Sequence, residues 1–343
     1  MKTKVTIQDI ADSLHLSRIT VSKVLNNSPN VSAETRDLVL KKAQEMNYKH
    51  LNTAVFSNAK ASGPQVKSFA FVMHMTPDAF HIGSGIITQL EQEIRTKGYS
   101  LTLHSITEED ITSLTLPPNL NKNQTEAIVC LELFHPEYSR LICSLGIPVL
   151  FIDACIDFHS LNLNCSLLLM ENRVSTHQML AALCEKHNLV SMGFVGDCRH
   201  CISFQERYES FFLTGAEYGV DTQPYNIIAD DSKYSQAGWI TEQLRNKERL
   251  PQLFFCANDV LAQALIHSLA DLGLRVPEDV LVCGFDGLPS PNALMNSLTT
   301  IRIPCKELGT CAAQLLFQKI QYPDSVPFTI YLDTQICFRN SAP

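Results

Sequence analysis

The chain has 343 residues, of which 45% are hydrophobic and 18% charged, an ordinary composition for a globular protein of two or three domains. A net charge of −8 would argue against a nucleic-acid partner if it were spread evenly, but residues 1–60 carry +4 and the remainder −12. No apolar stretch approaches the roughly 20 residues that span a bilayer, and the first ten residues lack the apolar core of a signal peptide. We therefore expect a cytoplasmic protein with no membrane partner.

No motif in the sequence predicts catalysis or a cofactor. The chain contains no phosphate-binding loop, no GxSxG nucleophile elbow and no HExxH zinc motif, so we expect no enzymatic activity. All twelve cysteines lie beyond residue 129, and most are in apolar runs, as reduced thiols packed in a core would be. Cys198 and Cys201 form a CxxC pair without a second ligand pair, so no metal site is predicted.

Two short helices joined by a tight turn are predicted near the N-terminus. Thr6 precedes an apolar-periodic run and Asp9 lies three residues further on, as at the start of a capped helix. Ser17 begins a second helix, whose exposed start carries basic and short polar side chains, and Ser32 begins a third. This arrangement is typical of a helix-turn-helix, although a small helical bundle used for protein contacts would have similar helices.

The second helix carries side chains that suit DNA. Arg18 and Lys23 can donate to guanine edges in the major groove, and Ile19 can contact a thymine methyl group. Short polar side chains suit phosphate oxygens, which position a protein on the duplex without reading its sequence; those in this stretch are Thr20, Ser22 and Asn26.

The N-terminal sequence resembles the DNA-binding domain of the LacI/GalR family of bacterial transcription regulators. The resemblance rests on Val5–Ala11, Leu16-Ser17 and Thr20–Asn26, and it continues in register through Pro29–Ser32, Thr35-Arg36 and Asn47-Tyr48. It implies that the chain binds a DNA operator. The DNA-binding residues predicted here are Thr6, Ser17, Arg18, Ile19, Thr20, Ser22, Lys23, Asn26, Asn30 and Ser32.

The segment after Tyr48 departs from the family pattern. The family commonly has a leucine there that wedges into the DNA minor groove, and Ser57 stands at the corresponding position. Phe56, one residue earlier, could supply an apolar wedge instead, so we include it among the DNA-binding residues. The alternative is that no wedge forms and that specificity rests on the major groove alone.

Beyond the linker, strands alternate with helices from Ser68 to Cys283, including a strand predicted at Tyr225–Ile228. Such alternation predicts parallel sheets with helices on both faces, and two successive sets predict two similar lobes. Ligands of such sheets bind outside the carboxyl ends of the strands, here in a cleft between the lobes. The predicted domains are a helix-turn-helix domain at 1–49, a hinge at 50–67 and a two-lobed domain at 68–343.

The two-lobed region also resembles the same family, through Phe255–Asp259, Gly273–Asp279, Val282–Asp286 and Ser297–Pro304. The resemblance implies a periplasmic-binding-protein-like fold in which a small molecule closes the cleft. It identifies three candidate effector-binding residues, Arg207, Asn258 and Asp286. Phe80, Asp153 and Tyr234 are further candidates for the cleft walls.

Each effector candidate also has a structural interpretation. Asn258 could cap the helix that follows it, and Asp286 lies in a turn sequence that favours Asp for local reasons. Arg207 could pair with Glu206 or Glu209 on the surface. Core packing is the commoner role for residues such as Phe80 and Tyr234, and Asp153 could belong to a turn at the end of a strand.

The sequence thus predicts a DNA-binding transcription regulator, expected to be a repressor, that binds a pseudo-palindromic operator as a homodimer. A small polar metabolite, expected to be a sugar or sugar derivative, would control it from the cleft. The alternatives are control by a nucleobase or by a protein co-regulator. A solute-binding protein is an alternative of a different class, which the helix-turn-helix and the missing signal peptide disfavour.

Overall fold

The computed structural model describes residues 6–14, 16–25, 31, 35, 38–39, 41–43, 46, 67–74, 82–287 and 296–343. The chain divides into two compact units, Met1–Gln65 and Val66–Pro343. Among the described residues, no helix is long and apolar enough to cross a bilayer.

The first unit is a small helical domain. Helix α1 spans Ile7–Leu14 and helix α2 spans Arg18–Leu25, and residues 35, 38–39 and 41–43 are also helical. The predicted caps are present: Thr6 N donates to Asp9 Oδ2 (2.7 Å), Asp9 N donates to Thr6 Oγ1 (3.3 Å), and Thr20 N donates to Ser17 Oγ (3.0 Å). These reciprocal bonds satisfy N–H groups that a helix start leaves unpaired. The buried core consists of Ile10, Ala11, Val21, Val24, Val39 and Ala43.

Eleven strands are described in the second unit. They are β1 Ser68–Met73, β2 Ser100–Ser105, β3 Thr125–Leu133, β4 Val149–Ala154, β5 Ser166–Met170, β6 Met192–Val195, β7 Leu253–Cys256, β8 Leu281–Asp286, β9 Thr299–Arg302, β10 Thr329–Leu332 and β11 Gln335–Cys337. One parallel sheet has the order β10-β5-β4-β3-β1-β2. The other has the order β11-β9-β8-β7-β6 and is parallel except for β11, which pairs antiparallel with β9.

The helices of the second unit lie between these strands. They are α3 Ile82–Arg95, α4 Glu108–Ser113, α5 Pro136–Cys143, α6 Arg173–His187, α7 Ile202–Tyr218, α8 Asp231–Tyr234, α9 Trp239–Arg245, α10 Asp259–Asp271 and α11 Cys305–Gln321. The predicted two-lobed architecture of parallel sheets and helices is therefore confirmed.

The prediction of a strand at Tyr225–Ile228 is wrong. A 3-10 helix occupies Gln223–Tyr225, with Pro224 in its first turn, and Ile227 makes only an isolated bridge to Val195. Proline favours the first turn of a helix, and the 3-10 turn at Pro224 takes up Tyr225, the first residue of the predicted strand.

The two lobes are interleaved along the chain. The chain passes from the first sheet to the second after β5, returns to the first at β10 and passes to the second again at β11. It therefore crosses between the lobes three times. A single cluster of buried side chains includes Phe69 and Phe71 of the first sheet and Phe194 and Phe255 of the second. These crossings place strand ends of both sheets close to one another.

Helix α11 packs tightly on α3 at Gly309. A Cβ atom at this glycine would lie 2.7 Å from Ile86 O, 2.8 Å from Gln89 Cβ and 3.0 Å from Leu90 N. Two of these atoms belong to the backbone of a regular helix, which cannot yield without moving α3.

We therefore expect Gly309→Ala to destabilise the second unit by about 1–3 kcal/mol, the usual cost of overpacking, despite alanine's better helix propensity. Urea unfolding measures this loss. The control is Gln314→Ala on the same helix, an exposed position that should change the unfolding free energy by less than about 0.5 kcal/mol. Equal stabilities of the two variants would contradict the close packing.

Candidate functional site

One candidate site is the outer face of α2. Ser17, Arg18, Ile19 and Lys23 are exposed, and Ile19 has 68% of its surface accessible. Thr20 and Ser22 are half-buried at its margin. Val21 and Val24, on the opposite face, are fully buried and fix the orientation of the helix. Asn26, Asn30, Ser32 and Phe56 lie outside the described residues.

The second candidate site is centred on Arg207 in α7, which is 2% exposed. Its Nε donates to Asn172 Oδ1 (2.9 Å) and its Nη1 donates to Ala257 O (2.7 Å). Asp286 Oδ1 is 3.9 Å from Nη1, and the guanidinium lies 3.5 Å from the centre of the Phe285 ring. Burial lowers the pKa of Arg207, and the charge of Asp286 opposes that shift.

A buried carboxylate beside Arg207 links the two lobes. Glu206 is 6% exposed and accepts hydrogen bonds from Asn172 Nδ2 (2.8 Å) and from the hydroxyl of Tyr331 in β10 (2.8 Å). Arg173 Nε lies 3.5 Å from the same carboxylate. The proposed surface pair between Arg207 and Glu206 is therefore wrong, because both side chains are buried and each is bonded to Asn172 instead. We call Asn172, Glu206, Arg207 and Tyr331 the inter-lobe network.

Two predicted effector residues have strained backbones. Asp153, at the end of β4, has φ of 60°, and Asp286, at the end of β8, has φ of 129°, in the region that favours glycine. Asp153 Oδ1 accepts from Ala154 N (2.8 Å) and Ser203 N (3.4 Å), and burial raises its pKa. Non-glycine residues persist in such conformations where the surrounding structure enforces them, often at ligand sites. One such carboxylate lies at the carboxyl edge of each sheet.

The structure gives the other candidates clear local roles. Asn258 caps α10, since its Oδ1 accepts from Leu261 N (2.9 Å). Because the side-chain oxygen is used by the cap, the side-chain N–H groups are the atoms that could donate to a ligand. Tyr234 donates its hydroxyl to Ile227 O (2.7 Å), accepts from Ala229 N (3.2 Å) and packs on Trp239. These bonds match the packing interpretation of Tyr234. Phe80 lies outside the described residues.

Asp259 is a site residue that the sequence reasoning missed. Its buried carboxylate accepts from Thr300 Oγ1 (2.7 Å) and from Gly287 N (2.9 Å), the amide that follows Asp286. A side chain at Gly284 would collide with this carboxylate, since a Cβ there would lie 2.4 Å from Asp259 Oδ1. Burial raises the pKa of Asp259 to about 6. Asp259 thus ties together the ends of β7, β8 and β9 beside Arg207.

The site brings together the guanidinium of Arg207, several carboxylates and the ring of Phe285 near the carboxyl ends of strands. Such groups can hold a small polar molecule by accepting from its hydroxyl or amine groups and donating to its oxygens. Within the described parts of the chain, no group of three or more His, Cys, Asp or Glu side chains is placed to hold a metal ion.

Comparison with known proteins gives matches over both units. Residues 6–50 match the family described as "Bacterial regulatory proteins, lacI family", and residues 182–342 match the "Periplasmic binding protein-like domain". A ribose operon repressor of Halalkalibacterium halodurans is 25% identical over 98% of this chain and 96% of its own length. The HTH-type transcriptional repressor PurR of Pasteurella multocida is 25% identical over 98% of each chain.

Solved structures share the whole fold. The lac repressor dimer bound to operator and the anti-inducer ONPF superposes with a TM-score of 0.63, covers 99% of each chain and is 19% identical in sequence. At that identity the likeness concerns the fold alone.

The raised pKa of Asp259 predicts a pH-dependent stability. The carboxyl group of an ordinary Asp has a pKa near 3.8, so the folded chain holds the carboxyl proton of Asp259 more tightly than the unfolded chain does. Its contribution to stability is therefore present at low pH and is lost as pH rises from about 4 through 6. A shift of about two units corresponds to about 3 kcal/mol.

The side chain of Asn cannot ionise, so we expect the unfolding free energy of Asp259→Asn, relative to that of wild type, to rise by about 2 kcal/mol between about pH 4.5 and 7.5. Urea unfolding at both pH values measures this change. Asp271→Asn, at an exposed position of α10, serves as the matched control for the loss of one carboxylate. A stability difference between Asp259→Asn and wild type that is independent of pH would refute the assignment.

Proposed function

Because the chain belongs to the lacI family of bacterial regulatory proteins, we propose that it represses transcription from an operator and is controlled by a small polar metabolite. The observation that carries the proposal is the presence in one chain of an exposed basic α2 and of a buried, charged site at the strand ends of two lobes. We place the protein in the cytoplasm, where bacterial DNA lies.

We infer that α2 enters the major groove of the operator. Arg18, Ile19 and Lys23 would read base edges, while Thr20 and Ser22 would contact phosphate oxygens. A homodimer would present two such helices to half-sites about one helical turn apart, which requires a pseudo-palindromic operator. The related lac repressor structure is a dimer bound to operator, which supports this arrangement.

We further propose the domain limits 1–49 for the DNA-binding domain, 50–67 for a hinge and 68–343 for the effector-binding and dimerisation domain. The effector would lie near Arg207, Asn258, Asp286 and Asp153. Carboxylates accept hydrogen bonds from adjacent hydroxyls, so a sugar or sugar derivative fits this chemistry best, with a nucleobase as the alternative.

Control by the effector follows from differential binding. A ligand that binds one arrangement of the lobes more tightly shifts the population towards it, and operator affinity changes by the same coupling free energy. In this proposal the chain is a binding protein and not an enzyme, because the side chains assembled at the site are suited to holding a ligand.

Base-reading and phosphate-binding residues should differ in their effects on DNA binding. We expect Arg18→Ala to weaken binding to a selected operator by about 1–3 kcal/mol and to relax the preference at one base pair per half-site. Ser22→Ala should weaken binding to every duplex to a similar degree. Fluorescence anisotropy with single-base operator variants at one fixed salt concentration measures both effects.

The same experiment tests the proposed class of protein. If the wild-type protein showed no preference among duplexes, the assignment as a sequence-specific regulator would fail. If wild type and Arg18→Ala had the same preferences at every base pair, Arg18 would not be a base-reading residue.

A thermal-shift screen against sugars, sugar phosphates and nucleobases should identify the effector class. A ligand at a hundredfold excess over its Kd stabilises the folded state by about 2.7 kcal/mol, which gives a readily measured shift in Tm. We expect Asp286→Ala to abolish the shift and the exposed Asp271→Ala to retain it. A shift that persists in Asp286→Ala would place the ligand elsewhere, and no shift with any compound would favour a protein co-regulator.

A further inference from the structure

A buried carboxylate of the second lobe is hydrogen-bonded to the first lobe. Glu206, in α7, is 6% exposed, and its Oε1 accepts from the hydroxyl of Tyr331 (2.8 Å). Tyr331 lies in β10, which pairs with β5 at one edge of the first sheet. Burial and the bond to Glu206 raise the pKa of Tyr331, so its hydroxyl keeps the proton that it donates. The bond therefore joins one side chain of each lobe.

Asn172 connects this carboxylate to Arg207. A carboxylate can only accept hydrogen bonds, and a guanidinium can only donate them. Asn172 must therefore turn its Nδ2 to Glu206 Oε2 (2.8 Å), which leaves its Oδ1 for Arg207 Nε (2.9 Å). The amide is fully buried, and its Nδ2 also donates to Met170 O (2.9 Å). The orientation of the amide thus depends on Glu206, and the placement of Arg207 depends on the amide.

Arg173 would attract the carboxylate if Tyr331 released it. Arg173 Nε lies 3.5 Å from Glu206 Oε1, the oxygen that the tyrosine binds, and this distance is too long for a strong hydrogen bond. Its Nη1 is 2.5 Å from Oε2 of the half-exposed Glu209. A buried carboxylate that loses a donor must find another or remain unsatisfied. Without the tyrosine hydroxyl, the carboxylate would turn towards Arg173, and Asn172 would lose the acceptor that fixes its orientation.

We propose that Tyr331 is a positioning residue of the effector site, whose hydroxyl fixes Glu206 and, through Asn172, holds the guanidinium of Arg207 in place. A movement of β10 relative to α7 breaks the Tyr331 bond, so the inter-lobe network makes the placement of Arg207 depend on the arrangement of the lobes. The bearing of this dependence on effector binding rests on the proposed function, whereas the network itself can be tested without a ligand.

Other bonds hold the crossing segments together without the Tyr331 hydroxyl. Glu171 N donates to Leu332 O (2.7 Å), and Thr334 Oγ1 donates to Glu171 O (3.2 Å), which joins the first crossing to the third. Tyr331→Phe keeps the aromatic ring and removes only the hydroxyl. We therefore expect this variant to fold with the lobes still joined, so that it tests the hydrogen bond alone.

The exchange of the Arg207 Nε–H proton with solvent measures how firmly the guanidinium is held. NMR of the deuterated, full-length protein labelled with 15N-arginine records this proton, and its signal is the one absent from Arg207→Lys. We expect Tyr331→Phe to raise the exchange rate by about tenfold or more, as the loss of a hydrogen bond to a charged group predicts. By mass spectrometry, the buried amides of β3 should exchange at the wild-type rate, because they lie outside the network.

Two further variants separate the network from general effects. Tyr322→Phe removes the hydroxyl of a tyrosine that is 57% exposed just after α11, and it should leave the Arg207 exchange rate unchanged. Glu206→Gln should raise the rate, because an uncharged amide no longer requires an N–H of Asn172. Adding Tyr331→Phe to Glu206→Gln should then have little further effect, since the tyrosine acts through Glu206.

Three results would overturn the proposal. The first is an Arg207 exchange rate in Tyr331→Phe within about twofold of the wild-type rate. The second is an equal acceleration in β3, which would show a general loss of stability. The third is an undiminished effect of Tyr331→Phe when Glu206 is already glutamine. None of these measurements uses a ligand, so the proposal can fail while the proposed function stands.

Discussion

The buried guanidinium of Arg207 is the interaction on which the second unit depends. A charge removed from water costs several kcal/mol unless its donors are bonded, and here the partners come from three distant segments, Asn172, Ala257 and Asp286. These residues lie at or just after the carboxyl ends of β5, β7 and β8, so the bonds to Arg207 hold strand ends of both sheets together. Removing the guanidinium would leave buried carboxylates uncompensated, at a cost of about 3–5 kcal/mol.

In the proposed function, the same network would couple a bound ligand to the arrangement of the lobes. Asn172 lies at the first crossing between the lobes, and Tyr331 of β10 bonds Glu206 close to the third. A molecule that binds Arg207 or Asp286 would therefore contact the hydrogen-bonded side chains beside the segments that cross between the lobes. The strained backbones of Asp153 and Asp286 show that these positions are enforced by their surroundings, as preorganised binding groups require.

Local patterns were sufficient for most of the fold, but not for the pairing of side chains at the site. Buried parallel strands such as β1 read as unbroken apolar runs, and the caps at Thr6 and Ser17 are short-range signals. Arg207 and Asp286 were identified by family motifs. The bonds that join Glu206 to Asn172 and to Tyr331 connect residues up to 125 positions apart, and no periodicity or spacing encodes such contacts.

We propose that the Arg207 site controls operator binding. The most direct measurement is the operator affinity of wild type and Arg207→Ala, each with and without a ligand that shifts the wild-type Tm, with circular dichroism confirming that the variant is folded. The ligand should change the wild-type affinity by about 5–150-fold, the usual range of allosteric coupling, and should leave the variant's affinity unchanged. A folded Arg207→Ala protein that responds to the ligand as wild type does would contradict it.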